Sequence, residues 1–181
     1  MTEATKNLLG LYRKATPAEL RAGREWYRKA RSFCEDLASR GEVSLRQAVK
    51  ATAAMSPRCS WKQNKRNACA LILGDGEPKG LSVGIEKAER ICNGERRVLR
   101  GPKDRAFAAA ILGWPAAVVD AHMARVCGKS ARLTQKEYRE CAEAIRQAAD
   151  SVGIPTHVFQ AVVWIVQRTG EQPDLFAAGA E

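Results

Sequence analysis

Ahead of three helix-length runs in this chain a hydroxyl residue stands three positions before a Glu or Gln, as Thr16 before Glu19, Ser44 before Gln47 and Thr134 before Glu137. That spacing is a capping box, in which the hydroxyl and the Glu/Gln side chain satisfy free backbone N–H groups at a helix start. Each box opens a run of helical period. Pro17 stands at a first helical position, and Gly41 and Gly153 close two of the runs. Ser60 and Gly74 bracket a further one, "SWKQNKRNACALILG". "LSVGIEKAERICNG" reads as a shorter helix ending near Gly94, and "PKDRAFAAAILG" as one ending at Gly113. "PTHVFQAVVWIVQR" is apolar nearly all round and reads as a central buried helix. "AVVWIV" is strand-like by propensity, but it lies inside a helix-length run after Pro155. The expected fold class is all-α, with eight or so short helices.

A chain of 181 residues fits one compact domain, or two small lobes sharing a core. Thirty Lys and Arg against twenty Asp and Glu leave a net charge of +10. That surplus favours a polyanionic partner, nucleic acid before an anionic membrane surface; the alternative is a basic protein with no such partner. No apolar run approaches the roughly 20 residues of a membrane helix, and "MTEATKNLLG" lacks the build of a secretory signal. A cytoplasmic setting is expected, with no membrane partner. The six cysteines, at 34, 59, 69, 92, 127 and 141, form no CxxC and no Cys/His zinc spacing, and no four crowd together for an iron–sulfur cluster. They read as reduced thiols, with no metal and no cofactor expected. Trp26, Phe33 and Leu37 share a helical face and read as core, as does Trp164. The tail 173–181 has few anchors and is expected to fray.

The segment "NGERRVLRGPKDRAFAAAIL", 93–112, reads as a hairpin between helices. A short helix around Val98 and Leu99 would meet a tight turn at Arg100-Gly101-Pro102, and a second helix would start at Lys103. Free N–H groups at that start, with the helix dipole, suit a phosphate oxygen. Arg97, Arg100, Lys103 and Arg105 surround the turn with positive charge. An ordinary helical hairpin with a solvated basic rim is the alternative.

The next segment, "GWPAAVVDAHMARVC", resembles the signature of the helix-hairpin-helix DNA glycosylase superfamily, especially its endonuclease-III-like branch. In that family a hairpin is followed by a Gly/Pro-rich loop and an aspartate in a V-D-x-H-x-x-R-V setting. Here Gly113, Trp114 and Pro115 supply the loop, and Val119-Asp120-Ala121-His122-Met123-Ala124-Arg125-Val126 the setting. The resemblance covers about 81–128 well and 45–73 more loosely. The whole pattern is similar to small phage-type members without an iron–sulfur cluster, which share "AAMSP…W..N" and "QAVVW". It implies one domain over 1–181, with two helical lobes and a cleft between them. The inner lobe would be 41–112, ending in the hairpin 93–112; 1–40 and 113–172 would form the second.

What the resemblance implies for chemistry is specific. Breaking an N-glycosidic bond builds positive charge on the sugar, which a carboxylate in a dry site stabilises. Asp120 is the candidate; the plainer reading is that it only caps the helix 121–127. Bifunctional members place a lysine after the hairpin, whose neutral amine forms a Schiff base and leads to strand cleavage. Lys103, seventeen residues before Asp120, is that candidate; a phosphate contact or a solvated side chain is the alternative. The family's second hairpin glycine is missing, and Pro102 has no N–H to offer. His122 reads as structural, bonding backbone near the loop. Arg125 reads as a brace for the helix or a phosphate contact.

The loop "MSPRCSWKQN" stands where the family inserts a residue into the gap left by a flipped nucleotide. Arg58 could enter the stack or clamp a phosphate. Trp61 could stack on a base, though a core position in the next helix is the plainer reading. Lys62, Lys65 and Arg66 make a basic edge beside it. The partner expected is double-stranded DNA, bound by a monomer through Gly101, Arg97, Arg100, Arg105, Arg58 and Lys62. The function expected is a DNA glycosylase with possible lyase activity. Two alternatives stand beside it: a DNA-binding module without the chemistry, and an enzyme of phage modified-nucleotide metabolism.

Overall fold

The computed structural model describes residues 1–171, and they are all-helical. Nine α-helices and no strand occur among the described residues: α1 (Glu3–Lys14), α2 (Pro17–Arg40), α3 (Leu45–Ala54), α4 (Trp61–Leu73), α5 (Ser82–Cys92), α6 (Pro102–Ile111), α7 (Ala121–Val126), α8 (Gln135–Ser151) and α9 (Thr156–Glu171). The tail 173–181 lies outside the described residues.

The caps set these boundaries. Ser44 with Gln47, and Thr134 with Glu137, close complete boxes at the heads of α3 and α8. Thr16 and Glu19 make the same reciprocal pair before α2. Ser60 caps α4 and Gly74 ends it in the left-handed conformation.

Three differences from the sequence reading stand out. α1 is an added helix, headed by Thr2, whose hydroxyl accepts from the Thr5 N–H. There is no helix around Val98 and Leu99: α5 ends at Cys92 and residues 93–101 form a non-helical connection. The cause is local, because Arg97 is left-handed at φ +61 and Gly101 is extended at φ −64, ψ 138, as a residue before proline must be. α6 accordingly begins at Pro102, one residue before Lys103.

The chain divides into two compact units, residues 28–114 and residues 1–27 with 115 onward. The division falls inside α2, after Tyr27, rather than at residue 40. In the 28–114 unit, α3 packs against α4, α5 and α6. Its buried face is built from Ala48, Val49, Ala51, Thr52, Ala53 and Ala54, and small side chains let neighbours come close. A Cβ on Gly84 of α5 would stand 2.9 Å from the Ala54 carbonyl oxygen, so only glycine fits there.

In the other unit, α1, α7, α8 and α9 enclose a core of Leu8, Leu9, Met123, Ile145, Phe159 and Val163. α2 enters it through Gly23, where a Cβ would come within 2.4 Å of Val162 Cγ2 and 2.8 Å of the Val162 backbone. Backbone cannot give way as a side-chain tip can. Gly23→Ala is expected to lower unfolding stability by about 1–3 kcal/mol, the usual cost of overpacking. An unchanged urea midpoint would show that α2 shifts freely along α9.

Candidate functional site

Asp120 lies in the unit formed by 1–27 and 115 onward, at the N-cap of α7. Its carboxylate is held at both oxygens. Oδ1 accepts from the Met123 N–H at 2.9 Å, and Oδ2 accepts from the Trp164 indole N–H at 2.9 Å. The side chain is half-buried, so its hydration is reduced but not abolished. The segment leading to it is pinned from α8: the Tyr138 hydroxyl donates to the Ala117 carbonyl at 3.3 Å and accepts from the Val119 N–H at 3.4 Å. Ala117, Val118 and Val119 are buried, which explains the apolar run before the aspartate.

Trp164 is itself fixed. The Arg168 guanidinium stands 4.8 Å from its ring centroid, and Trp26 meets it edge-on at 6.2 Å. Beside this pair, the buried Tyr27 hydroxyl donates to Gln160 Oε1 at 2.8 Å. Burial first, and the Asp120 charge second, push the Tyr27 phenol far above its ordinary range. It therefore stays a neutral donor. His157 meets the Tyr27 ring at 5.6 Å, and its buried Nδ1 has no hydrogen-bond partner. Burial lowers the His157 pKa, which favours the neutral ring.

His157, Gln160, Trp164 and Arg168 fall at i, i+3, i+7 and i+11, on one face of α9. Reading Trp164 and Trp26 as core therefore missed their work: one donates to the carboxylate and the other buttresses the donor. The signal was present as a polar stripe in a helix that otherwise reads as apolar. Arg125 Nη2 and His122 Nδ1 lie 2.9 Å apart on the outer side of α7, so this arginine braces the helix.

A protein-family model described as a family of unknown function (DUF7178) matches residues 1–171. The chain belongs to that family. No curated protein and no solved structure matches it.

In the 28–114 unit of this DUF7178 protein, the connection 93–101 is capped at its start by a fork from Arg90, whose Nε and Nη2 donate to the Glu95 carboxylate. Arg97, Arg100 and Arg105 are exposed and Lys103 is half-buried, in the first turn of α6. Gly101 is the N-cap and makes no side-chain cap bond. The Asp104 carboxylate lies close by: a Cβ on Gly101 would stand 3.4 Å from its Oδ2. Burial raises the Asp104 pKa, and the charges of Lys103 and Lys87 oppose that rise.

Arg58 is exposed at φ +56, and with Arg97 and Glu42 it completes the left-handed non-glycine residues among those described. For an arginine that conformation costs about 1–2 kcal/mol. Such strain gathers where a side chain must be aimed. Trp61 opens α4 and meets Phe33 at 5.9 Å and Phe107 at 6.5 Å, both edge-on. It is a half-buried packing residue of this DUF7178 unit, and Lys62 beside it is exposed. Trp114 is 60% exposed. All six cysteines of this DUF7178 chain are free thiols. Among the described residues no single helix is long and apolar enough to cross a membrane.

Proposed function

We propose that this protein binds duplex DNA and cleaves the N-glycosidic bond of a damaged or modified base, on a helix-hairpin-helix glycosylase fold. The observation that carries the reading is the grip on Asp120. A capping aspartate needs only one oxygen for the helix; here the second oxygen is held by an indole N–H brought from α9. Two donors fix the carboxylate's direction. Each oxygen keeps a lone pair for a reacting group.

In this reading the C1′–N bond breaks with its electrons going to the base. The carboxylate stabilises the cationic sugar and takes the proton of the attacking water. Arg97, Arg100 and Arg105 meet phosphates, and Arg58 enters or clamps the strand. Pro102 and the nearby Asp104 make the Gly101 turn a poor phosphate cradle by itself, so the arginines carry that contact. Lys103, in the first turn of α6, is the amine for a lyase step.

The test is incubation with duplexes that each carry one damaged or modified base, with borohydride present. Base release is expected for at least one. A covalent adduct that is lost in Lys103→Gln would mark a lyase; release without an adduct would mark hydrolysis. Duplex affinity is expected to fall by an order of magnitude or more on going from about 50 to 200 mM salt, as counterion release requires. Arg97→Glu with Arg100→Glu should flatten that slope. Salt-independent binding would remove the reading.

The second reading is a DNA-binding module without chemistry. It is favoured by the same grip on Asp120, because both contacts also serve packing. Salt-dependent duplex binding with no base released across the panel would select it.

A further inference from the structure

The 28–114 unit carries a preformed groove, on other residues than Asp120 and the 93–112 segment. It has a volume of roughly 610 Å³, within the range of small-molecule sites. Lys62, Lys65 and Arg66 of α4 line it, with Lys79, Asp75 and Glu77 from the loop after α4 and Phe33 from α2. We propose that this groove binds a nucleotide unit of a single-stranded nucleic acid, independently of the glycosylase reading.

The groove is built rather than incidental. Asn67, 1% exposed, grips the loop through both ends of its amide. Nδ2 donates to the Lys79 carbonyl at 2.7 Å, and Oδ1 accepts from the Lys79 N–H at 2.9 Å. Gln63 Nε2 donates to the same Oδ1 at 2.8 Å. This pairing holds the loop against α4 across twelve residues of sequence, so the walls stand without a ligand. Preorganisation of that kind lowers the cost of binding.

The chemistry of the lining selects the ligand. Three cations on α4 at positions i, i+3 and i+4 share one helix face and suit a phosphate. Phe33 offers apolar ring surface to a base; Trp61 packs nearly perpendicular to it at 5.9 Å between centroids, and the Lys65 ammonium stands over the ring, 6.0 Å from its centroid. Asp75 and Glu77 would repel an acidic peptide or a bare phosphate. They accept, however, from the exocyclic amino groups of cytosine, adenine or guanine. A nucleotide brings anion, flat face and N–H donors together. A duplex keeps its base faces stacked inside and cannot present them.

The experiment is fluorescence anisotropy of labelled dC12, dA12 and dT12, with unlabelled dCMP and a hairpin duplex as competitors. Binding is expected to be tighter for dC12 and dA12 than for dT12. Competition by the strand at far lower concentration than by dCMP identifies the polymer as the ligand; equal potency per nucleotide would overturn the single-strand assignment. Lys65→Glu with Arg66→Glu is expected to weaken dC12 at least tenfold and to lower the salt slope by about two. Phe33→Leu, which keeps apolar contact with Trp61, is expected to weaken it about fivefold or more. Asp75→Asn with Glu77→Gln should erase the preference over dT12. Unchanged dC12 binding in the Lys65/Arg66 variant would overturn the proposal, whatever base release shows. Strand binding by the unaltered protein with no base released from any duplex would fault only the Asp120 reading.

Discussion

Asp120→Asn is expected to lower base release by about 10²–10³-fold, the usual loss when one transition-state electrostatic partner is removed. The amide keeps the shape and can still accept from the Met123 N–H. Asn caps a helix as well as Asp does. What the amide cannot do is satisfy Trp164: with its oxygen on the cap, its NH₂ faces the indole N–H that Oδ2 now accepts. The variant therefore also loses a hydrogen bond to a charged group, worth about 1.5–3 kcal/mol of stability. Trp164→Phe separates the two effects. It removes the same bond and leaves the negative charge, so it should show a similar stability loss with much smaller loss of base release. Duplex affinity should be unchanged in both. Normal turnover by Asp120→Asn would make Asp120 a cap and nothing more.

Where the chain punctuates itself locally, the sequence was a sufficient guide. Ser44, Ser60 and Thr134 name helix starts because a cap is a contact between residues three apart, and Gly74 names a stop for the same kind of reason. α1 escaped because its cap pairs Thr2 with Thr5, without the Glu or Gln that completes a box. The helix expected around Val98 failed for a reason that was nearly legible: Pro102 already forbids Gly101 the helical region, and the left-handed Arg97 finishes the interruption.

The candidate site divides the same way. Asp120 as an N-cap was readable from its neighbours. Its second partner, Trp164, lies 44 residues away, and helical periodicity records only that such a ring is buried on one side. Tyr138 pins the segment before Asp120 from 19 and 21 residues away, equally beyond a local pattern. Nor does any spacing rule announce that Asn67 would hold the loop at Lys79 and so give the α4 lysines a wall to face. Those side chains bond at long range, and long-range pairing is decided by packing rather than by period.

Phe159→Ala is expected to cost about 3–5 kcal/mol of unfolding stability, the usual loss when a buried phenyl ring is truncated in a close-packed core. Phe159 is fully buried, at 0% exposure, in the core shared by α1, α7, α8 and α9. Its ring stacks on Tyr12 of α1 at 5.1 Å between centroids and 24° between planes. Truncation removes that contact and leaves a cavity that a close-packed core fills only in part. The effect should reach the candidate site through α9, because Trp164 lies on that helix, five residues on. A lower urea midpoint with an unchanged slope would report lost packing in an intact native state. Phe159→Leu, which keeps most of the volume, should recover much of the loss. A cost below about 1 kcal/mol for Phe159→Ala, well under that range, would mean that α9 is not seated against α1 through this ring, and the support it gives to Asp120 would fall with it.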